Sequence, residues 1–153
     1  MDVVSALKVV GLSAAPVAEL RGGLPLALSL GIHPAAAYLL SVAGNLLPVP
    51  FLLLGLGQLV PILPRLPGRI GAWAARYLAW QRRRHARKFA RLGDVALVLV
   101  VAVPLPATGA WTGAVVATLL GIPPRRALPL ITLGVLLAGG IVLAASLGLF
   151  ALL

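Results

Sequence analysis

Cysteine is absent from this chain, and acidic residues are nearly so. The lack of cysteine excludes disulfides, thiolate metal ligands and thiol nucleophiles. The acidic side chains are those of Asp2, Glu19 and Asp94. The two histidines, His33 and His85, are too far apart for a metal motif and have no nucleophile beside them. We therefore expect no metal site, no cofactor and no enzymatic activity.

Charge of either sign is also scarce. Charged residues make up 10% of the 153 residues, hydrophobic residues make up 61%, and the mean hydropathy is +1.07. Residues 22–64 and 95–124 carry no charged side chain, and each run exceeds the ~20 residues that cross a bilayer core. This composition excludes an ordinary soluble domain and predicts an all-α integral membrane protein.

The apolar sequence divides into four blocks, at residues 3–30, 35–63, 95–120 and 127–153. The second and fourth blocks predict complete spanning helices. The first and third are interrupted by Pro16, Gly22, Gly23 and Pro25, and by Pro104, Pro106, Gly109 and Gly113. Each limb of about ten residues would reach ~15 Å, half of a ~30 Å hydrocarbon core. We interpret both interrupted blocks as re-entrant helical hairpins.

The two halves of the chain align at an offset of 90 residues. The aligned glycines and prolines are Pro16 with Pro106, Gly23 with Gly113, Gly31 with Gly121, Pro34 with Pro124 and Gly44 with Gly134. Each of these residue types marks a backbone requirement rather than general hydrophobicity. The alignment predicts an internal duplication within one membrane domain, residues 1–153, with repeat one at 3–63, a basic connector at 64–94 and repeat two at 95–153.

The basic residues bear on topology. Nine of the thirteen lie between Arg65 and Arg91, which favours a cytoplasmic connector. If all four blocks crossed the membrane, Arg125 and Arg126 would lie on the opposite side from this connector. If the first and third blocks are re-entrant, both basic connectors are cytoplasmic and the repeats are inverted. We favour this second model, because inverted repeats with broken helices near the midplane are typical of secondary transporters.

Glu19 and Arg21 are charged residues inside an apolar block. A charged side chain at the centre of a membrane helix costs about 2.5–3.5 kcal/mol, so such groups usually face a partner or a wet cavity. One hypothesis makes Glu19 a proton carrier and Arg21 a docking point for an anionic group such as phosphate. The other makes them an ion pair, or makes Arg21 a cap for exposed carbonyls, at the hairpin tip.

Other polar residues lie near the interruptions. Thr108, Trp111 and Thr112 occupy the second tip, where they would either bind cargo or satisfy freed backbone groups. Asn45 precedes Pro48 in the second block, which predicts a helix kink with a polar group inside the bundle. An interhelical hydrogen bond and a contact with cargo are equally open for Asn45.

The connector has a pattern of its own. Trp73, Tyr77 and Trp80 have i, i+4, i+7 spacing, which predicts a helix lying in the headgroup region with its rings at the interface. A solvated basic loop is the alternative, and nucleic-acid binding is disfavoured because both ends are tied to the membrane. The predicted membrane-surface residues are Trp73, Tyr77, Trp80, Arg82, Arg83, Arg84, Arg87 and Lys88.

Three segments resemble the small multi-drug export protein family: APVAELRGGLPLA at 15–27, GNLLPVPF at 44–51 and VPLPATGAWTG at 103–113. The chain departs from that family at Ala107, where glycine is usual. The resemblance covers nearly the whole chain and implies an export protein in the cell membrane of a prokaryote. The family is distantly similar to DedA-type proteins, whose paired re-entrant hairpins and buried charges are associated with proton-coupled translocation of a lipid carrier.

Together these features predict a proton-coupled transporter with a central site between two hairpins, which includes Glu19 and Arg21. The alternatives are a DedA-like translocase for a polyprenyl phosphate carrier and, more weakly, a structural membrane scaffold. Membrane lipids and a small-molecule or lipid substrate are the expected partners, with no nucleic acid. A chain this short offers few helices to enclose a path, so we also expect a homodimer.

Overall fold

The computed structural model describes residues 2–104 and 108–152, without the side chains of 81, 82, 84–91 and 149–152. These residues form helices and contain no β-strand, which confirms the all-α prediction. The helices are α1 Val3–Ala14, α2 Glu19–Ser29, α3 Pro34–Leu46, α4 Val49–Leu59, α5 Arg69–Leu92, α6 Asp94–Ala102, α7 Ala110–Leu119 and α8 Pro124–Leu152, with a short 3₁₀ turn at Leu63–Arg65.

The first apolar block folds into two short helices, α1 and α2, that pack antiparallel. Ser13 near the end of α1 lies against Gly23 near the start of α2. Val9, one turn earlier in α1, shares a buried cluster with Ala27, one turn later in α2. The helices have 12 and 11 residues, so each is about half as long as a ~30 Å bilayer core at 1.5 Å per residue.

The third block is interrupted in the same way. Helix α6 ends at Ala102 and α7 begins at Ala110, and a Cβ added to Gly113 of α7 would lie 2.5 Å from Val101 Cγ2 of α6. The outer end of α6 is tied to the start of α8, because Arg126 Nη2 lies 2.8 Å from Asp94 Oδ2. The chain therefore enters and leaves this pair of helices at nearby points.

The interruptions between α1 and α2 and between α6 and α7 span fewer residues than the sequence predicts. Pro16, Pro104 and Gly109 lie between helices, whereas Pro106 lies outside the described residues. The predicted break residues Gly22, Gly23, Pro25 and Gly113 instead lie inside helices α2 and α7. The glycines are needed for packing rather than for a turn, since a Cβ on Gly23 would overlap Ser13 Oγ. Proline removes one backbone donor, and α2 continues through Pro25.

Two apolar stretches are long enough to cross a membrane, Pro34–Arg65 and Pro124–Gly148. The first is interrupted where α3 ends at Leu46 and α4 begins at Val49, which is where the sequence predicts a kink. Asn45 lies beside this interruption and is buried, as predicted. The second stretch belongs to α8, which continues through Pro129.

The two halves share the local geometry at the end of their hairpins. Gly31 has φ +72° and Gly121 has φ +70°, the left-handed conformation in which glycine ends a helix. The next residue closes the same backbone bond in each half. The amide of Ile32 donates to Ala27 O at 3.0 Å, and the amide of Ile122 donates to Ala117 O at 2.9 Å.

Helix packing also corresponds between the halves. A Cβ on Gly44 of α3 would lie 2.6 Å from Val10 O and 2.9 Å from Ser13 Cβ of α1. A Cβ on Gly134 of α8 would lie 3.0 Å from Val98 O and 2.6 Å from Val101 Cβ of α6. Ser13 and Val101 therefore hold equivalent positions, as do Val10 and Val98. In both halves a long helix packs its glycine against the first helix of the hairpin.

One buried cluster joins the halves. It contains residues of α2, α3, α4, α6, α7 and α8, and Leu20, Val49, Leu97 and Ile131 are nearly inaccessible within it. The long helices also meet directly, because Tyr38 Oη of α3 donates to Leu136 O in the middle of α8 at 2.9 Å. This packing brings the two helix breaks together.

Candidate functional site

Glu19 begins α2 in an unfavourable backbone conformation. Its φ is +48°, and among the described residues it is the one non-glycine residue with positive φ. Holding a non-glycine residue in this region costs about 1–3 kcal/mol, and such strain clusters at functional sites. The aligned position in the second half is Gly109, which also has positive φ, +146°. A glutamate therefore stands where the backbone favours glycine, which indicates that its carboxylate is needed there.

The Glu19 side chain reaches the second break. The residue is 6% exposed, and Oε1 accepts a hydrogen bond from the backbone N–H of Trp111 at 3.3 Å. Trp111 lies in the first turn of α7, where free N–H groups and the helix dipole favour an anion. A Cβ on Gly109 would overlap Glu19 Oε2, so glycine is required there for space as well as for its φ.

Arg21, two residues later, contacts the same break. Its Nη2 donates to the carbonyl oxygen of Thr108 and, at 3.0 Å, to Thr108 Oγ1. The hydroxyl of Thr108 in turn donates to Val103 O at 2.7 Å, just past the end of α6. Arg21 and Thr108 thus satisfy carbonyl groups freed by the interruption between α6 and α7.

Trp111 makes the reciprocal contact. Its indole Nε1 donates to Ala14 O at 3.1 Å, at the last residue of α1. That carbonyl belongs to the last turn of a helix, where carbonyl oxygens have no partner within the helix. Glu19 from the first break therefore meets the start of α7, while Trp111 from the second break meets the end of α1. We call the set Ala14, Glu19, Arg21, Thr108, Gly109 and Trp111 the junction.

Comparison with known protein families identifies a family for this chain. Residues 19–141 match the family described as "Putative small multi-drug export protein". The chain belongs to this family. No curated protein and no solved structure matches it. The match extends from Glu19 to α8, so it includes most of each half and most of the junction. The family and the two long apolar helical stretches identify a membrane protein of an export type.

Other predicted site residues lie near the junction or apart from it. Thr112 is half-buried in α7 beside Trp111. Asn45 lies on α3 instead, and its Oδ1 has no hydrogen-bond partner within the described part of the chain. In the same part, a metal site of three or more His, Cys, Asp or Glu is not present.

Two further buried polar groups escaped the sequence analysis. Ser13 Oγ and Ser41 Oγ are buried and, like Asn45 Oδ1, have no partner among the residues described. Their counterparts in the second half are aliphatic and buried: Val101 for Ser13, Ile131 for Ser41 and Val135 for Asn45. Comparing the halves for residue polarity as well as for glycine and proline would have found them.

The predicted membrane-surface residues are not part of the junction. Trp73, Tyr77, Trp80 and Arg83 are exposed on α5. The side chains of Arg82, Arg84, Arg87 and Lys88 lie outside the described residues. The sequence-predicted site residues therefore divide between the junction with its neighbour Thr112, the buried Asn45 of α3, and the surface of α5.

Proposed function

We propose that this chain is a proton-coupled membrane transporter whose cargo passes through the junction. The observation that carries the proposal is Glu19: a buried carboxylate at a position where the backbone favours glycine, in contact with the break of the other half. A structural scaffold would have no need for a strained, buried acid at this place.

The ends of the second hairpin support a re-entrant placement. Asp94 is the last residue of the basic connector and the first of α6, and Arg126 lies at the start of α8 after the hairpin has ended. Their ion pair brings these two points together, so the end of the connector at 64–94 and the turn at 120–123 are neighbours. We infer that α6 and α7 dip into the membrane and return to the cytoplasmic side, where basic residues are favoured.

The first hairpin supports an inverted repeat. Asp2 and residues 30–33 line one cavity of about 320 Å³, so the outer ends of α1 and α2 are also close together. These ends lie at the start of α3, whereas the connector leaves from the end of α4. If Pro34–Arg65 crosses the membrane, the two hairpins open toward opposite sides. Alternating access in transporters is commonly built on such a pair.

The junction suggests how a proton drives the cycle. An ionised Glu19 holds the start of α7 through the Trp111 amide and the helix dipole. Protonation removes the negative charge and weakens that hold, so the two breaks separate. Where the cargo carries an anionic group, Arg21 then exchanges the Thr108 oxygens for that group, a replacement suited to a guanidinium because it binds oxyanions through paired N–H groups.

A lipid-carrier translocase is the second candidate, and Arg21 is the observation in its favour. Its guanidinium donates to two neutral oxygens of Thr108 at the meeting point of the two breaks, and a phosphate is a stronger acceptor than either oxygen. Export of a cationic compound instead predicts that Glu19 matters more than Arg21. We also propose that the transporter works as a homodimer, because few helices are present to enclose a path.

Reconstituted vesicles test these proposals. The variants are Glu19→Gln and Arg21→Ala, with Lys8→Gln as a control, because Lys8 is exposed on α1 outside the junction. With a pH gradient, we expect Glu19→Gln to lower the rate of ethidium transport at least tenfold. This corresponds to an increase of about 1.4 kcal/mol or more in the activation free energy of transport. Lys8→Gln should keep wild-type activity.

The translocase candidate predicts a different order in the same vesicles. Movement of a short-chain prenyl phosphate should fall more in Arg21→Ala than in Glu19→Gln, because the phosphate loses its cationic partner. Arg21→Lys should restore part of the activity. Full activity of Glu19→Gln and Arg21→Ala toward both probes would refute the proposed site.

A further inference from the structure

One face of helix α5 packs against other parts of the chain. Gly71 and Ala74 are buried and Leu78 is half-buried on this face. A Cβ on Gly71 would overlap the carbonyl oxygen of Leu66, which lies in the turn before the helix. The start of α5 therefore packs against the turn that precedes it, and the side of the helix that carries Gly71 and Ala74 faces protein.

Aromatic rings form a second face beside the buried one. Trp73 is 66% exposed, Tyr77 44% and Trp80 52%. Trp73 and Tyr77 stack with centroids 5.3 Å apart and planes 9° apart, and the centroids of Tyr77 and Trp80 are 6.2 Å apart. Ile70 is 66% exposed on the same side. A continuous apolar stripe is thus presented away from the core.

Arginines form a third face. Arg69, Arg76 and Arg83 are exposed and recur every seven residues, close to two helical turns. Successive residues of a helix are about 100° apart around its axis, which places the arginines next to the aromatic rings. The arginines therefore lie on the side of α5 that is farthest from Gly71 and Ala74. Around α5 the order is protein contact, aromatic rings and then cationic groups.

We propose that α5 lies along the cytoplasmic surface of the bilayer and binds anionic phospholipids. Its rings would sit at the level of the glycerol backbone and its arginines on the headgroup phosphates, which is where each group is favoured. The inference goes beyond the transport proposal, because it concerns a surface apart from the junction.

Charge complementarity identifies anionic phospholipids as the partner of α5. The connector at 64–94 contains nine basic residues and one acidic residue, Asp94, whose ion pair is with Arg126 of α8. The charge of its basic residues is therefore largely not neutralised within the segment. Apolar sequence that precedes and follows it holds it near the membrane surface. A solvated basic loop would not expose a stacked ring stripe, and a nucleic acid would have to approach a helix already held beside anionic headgroups.

Lipid selectivity provides the first test. The full chain is reconstituted in nanodiscs that contain phosphatidylcholine with or without phosphatidylglycerol, and retained lipid is counted by native mass spectrometry. The double variant Arg69→Gln/Arg76→Gln should lose roughly tenfold or more in selectivity for phosphatidylglycerol. Lys8→Gln/Arg125→Gln removes the same charge from exposed positions elsewhere and should stay within about twofold of wild type.

Equal losses in the two double variants would overturn the proposal, because net charge alone would then explain binding. The same samples are also offered a mixed-sequence RNA. Binding of that RNA in the presence of phosphatidylglycerol, with loss in Arg69→Gln/Arg76→Gln, would assign the surface to nucleic acid instead.

The depth of the α5 tryptophan rings in the bilayer provides the second test. Brominated lipids quench tryptophan only at close range, and the chain has three tryptophans. We expect strong quenching by lipids brominated near the glycerol end of their chains in the wild type. The variant Trp73→Phe/Trp80→Phe, which keeps Trp111, should lose most of it. Unquenched emission from Trp73 and Trp80 would mean that α5 is solvated.

Discussion

At the scale of single residues, the residue types at the aligned positions of Glu19 and Gly109 depend on each other. They occupy aligned positions, both have positive φ, and the carboxylate of one fills the space that a side chain on the other would need. The glycine is thus required by the glutamate, and the pair forms the centre of the junction. Sequence alignment of the halves pairs the two positions, but only the folded chain brings them into contact.

Gly109→Ala should destabilise the protein, because the new Cβ overlaps Glu19 Oε2 and alanine is strained at φ +146°. Glu19→Gly removes the carboxylate and suits the backbone at φ +48°, so we expect the double variant to be more stable than additivity predicts. The coupling should reach about 1 kcal/mol or more, measured from thermal unfolding midpoints in detergent. Strict additivity of the two changes would contradict the described contact.

Asn45→Val should stabilise the protein by about 1 kcal/mol, because leaving a buried acceptor without a partner costs about 1–3 kcal/mol. The counterpart Val135 shows that an aliphatic side chain packs at the equivalent place. The reverse change, Val135→Asn, is the control and should lower the unfolding midpoint. A clear loss of stability in Asn45→Val would mean that the amide has a partner that only the assembled protein supplies.

At the scale of helices, glycine positions decide how closely the long helices approach the hairpins. Gly44 and Gly134 touch the backbone or Cβ atoms of the first hairpin helix in their own half, whereas Gly140 has no atom within 4 Å of an added Cβ. Local sequence cannot distinguish these glycines, because all three lie in apolar helices. Their different roles arise from what packs against them.

Gly134→Ala should cost about 1–3 kcal/mol, because its Cβ would lie 2.6 Å from Val101 Cβ and overpacking forces the helices apart. Gly140→Ala in the same helix should be neutral or stabilising, because alanine favours the helix and meets nothing. Thermal unfolding of the two variants in one detergent makes the comparison. Similar midpoints for both would show that α6 and α8 are not packed as described.

At the scale of the whole molecule, the interruption between α1 and α2 contacts the interruption between α6 and α7. The outer ends of the two helices in each hairpin also lie close together. The Arg126 to Asp94 ion pair ties the start of α8 to the start of α6, and the cavity beside Asp2 lies at the outer ends of α1 and α2. These contacts support the proposal of re-entrant hairpins. They are long-range contacts, so composition and spacing leave the choice open.

Cysteine labelling tests the membrane topology on a background that has no native cysteine. Ala72→Cys on α5 and Arg125→Cys at the start of α8 should both react with an impermeant reagent from the cytoplasmic side. Ser29→Cys at the end of α2 should react from the other side, and all three positions are exposed. Labelling of Ala72→Cys and Arg125→Cys from opposite sides would refute the re-entrant placement.

The sequence by itself determined the class of fold and the residues of greatest interest. Uncharged runs, paired interruptions, the ring spacing and the charges of Glu19 and Arg21 within an apolar block are local patterns, and local patterns follow from residue type and period. Tertiary structure alone decided which groups meet. It assigned the Trp111 amide to Glu19 and Thr108 to Arg21, and it showed that Gly23 serves packing. It also revealed a buried Ser13 hydroxyl that has no hydrogen-bond partner among the described residues. Each of these facts depends on atoms far apart in the chain, whose approach is determined by helix packing and not by neighbouring residues.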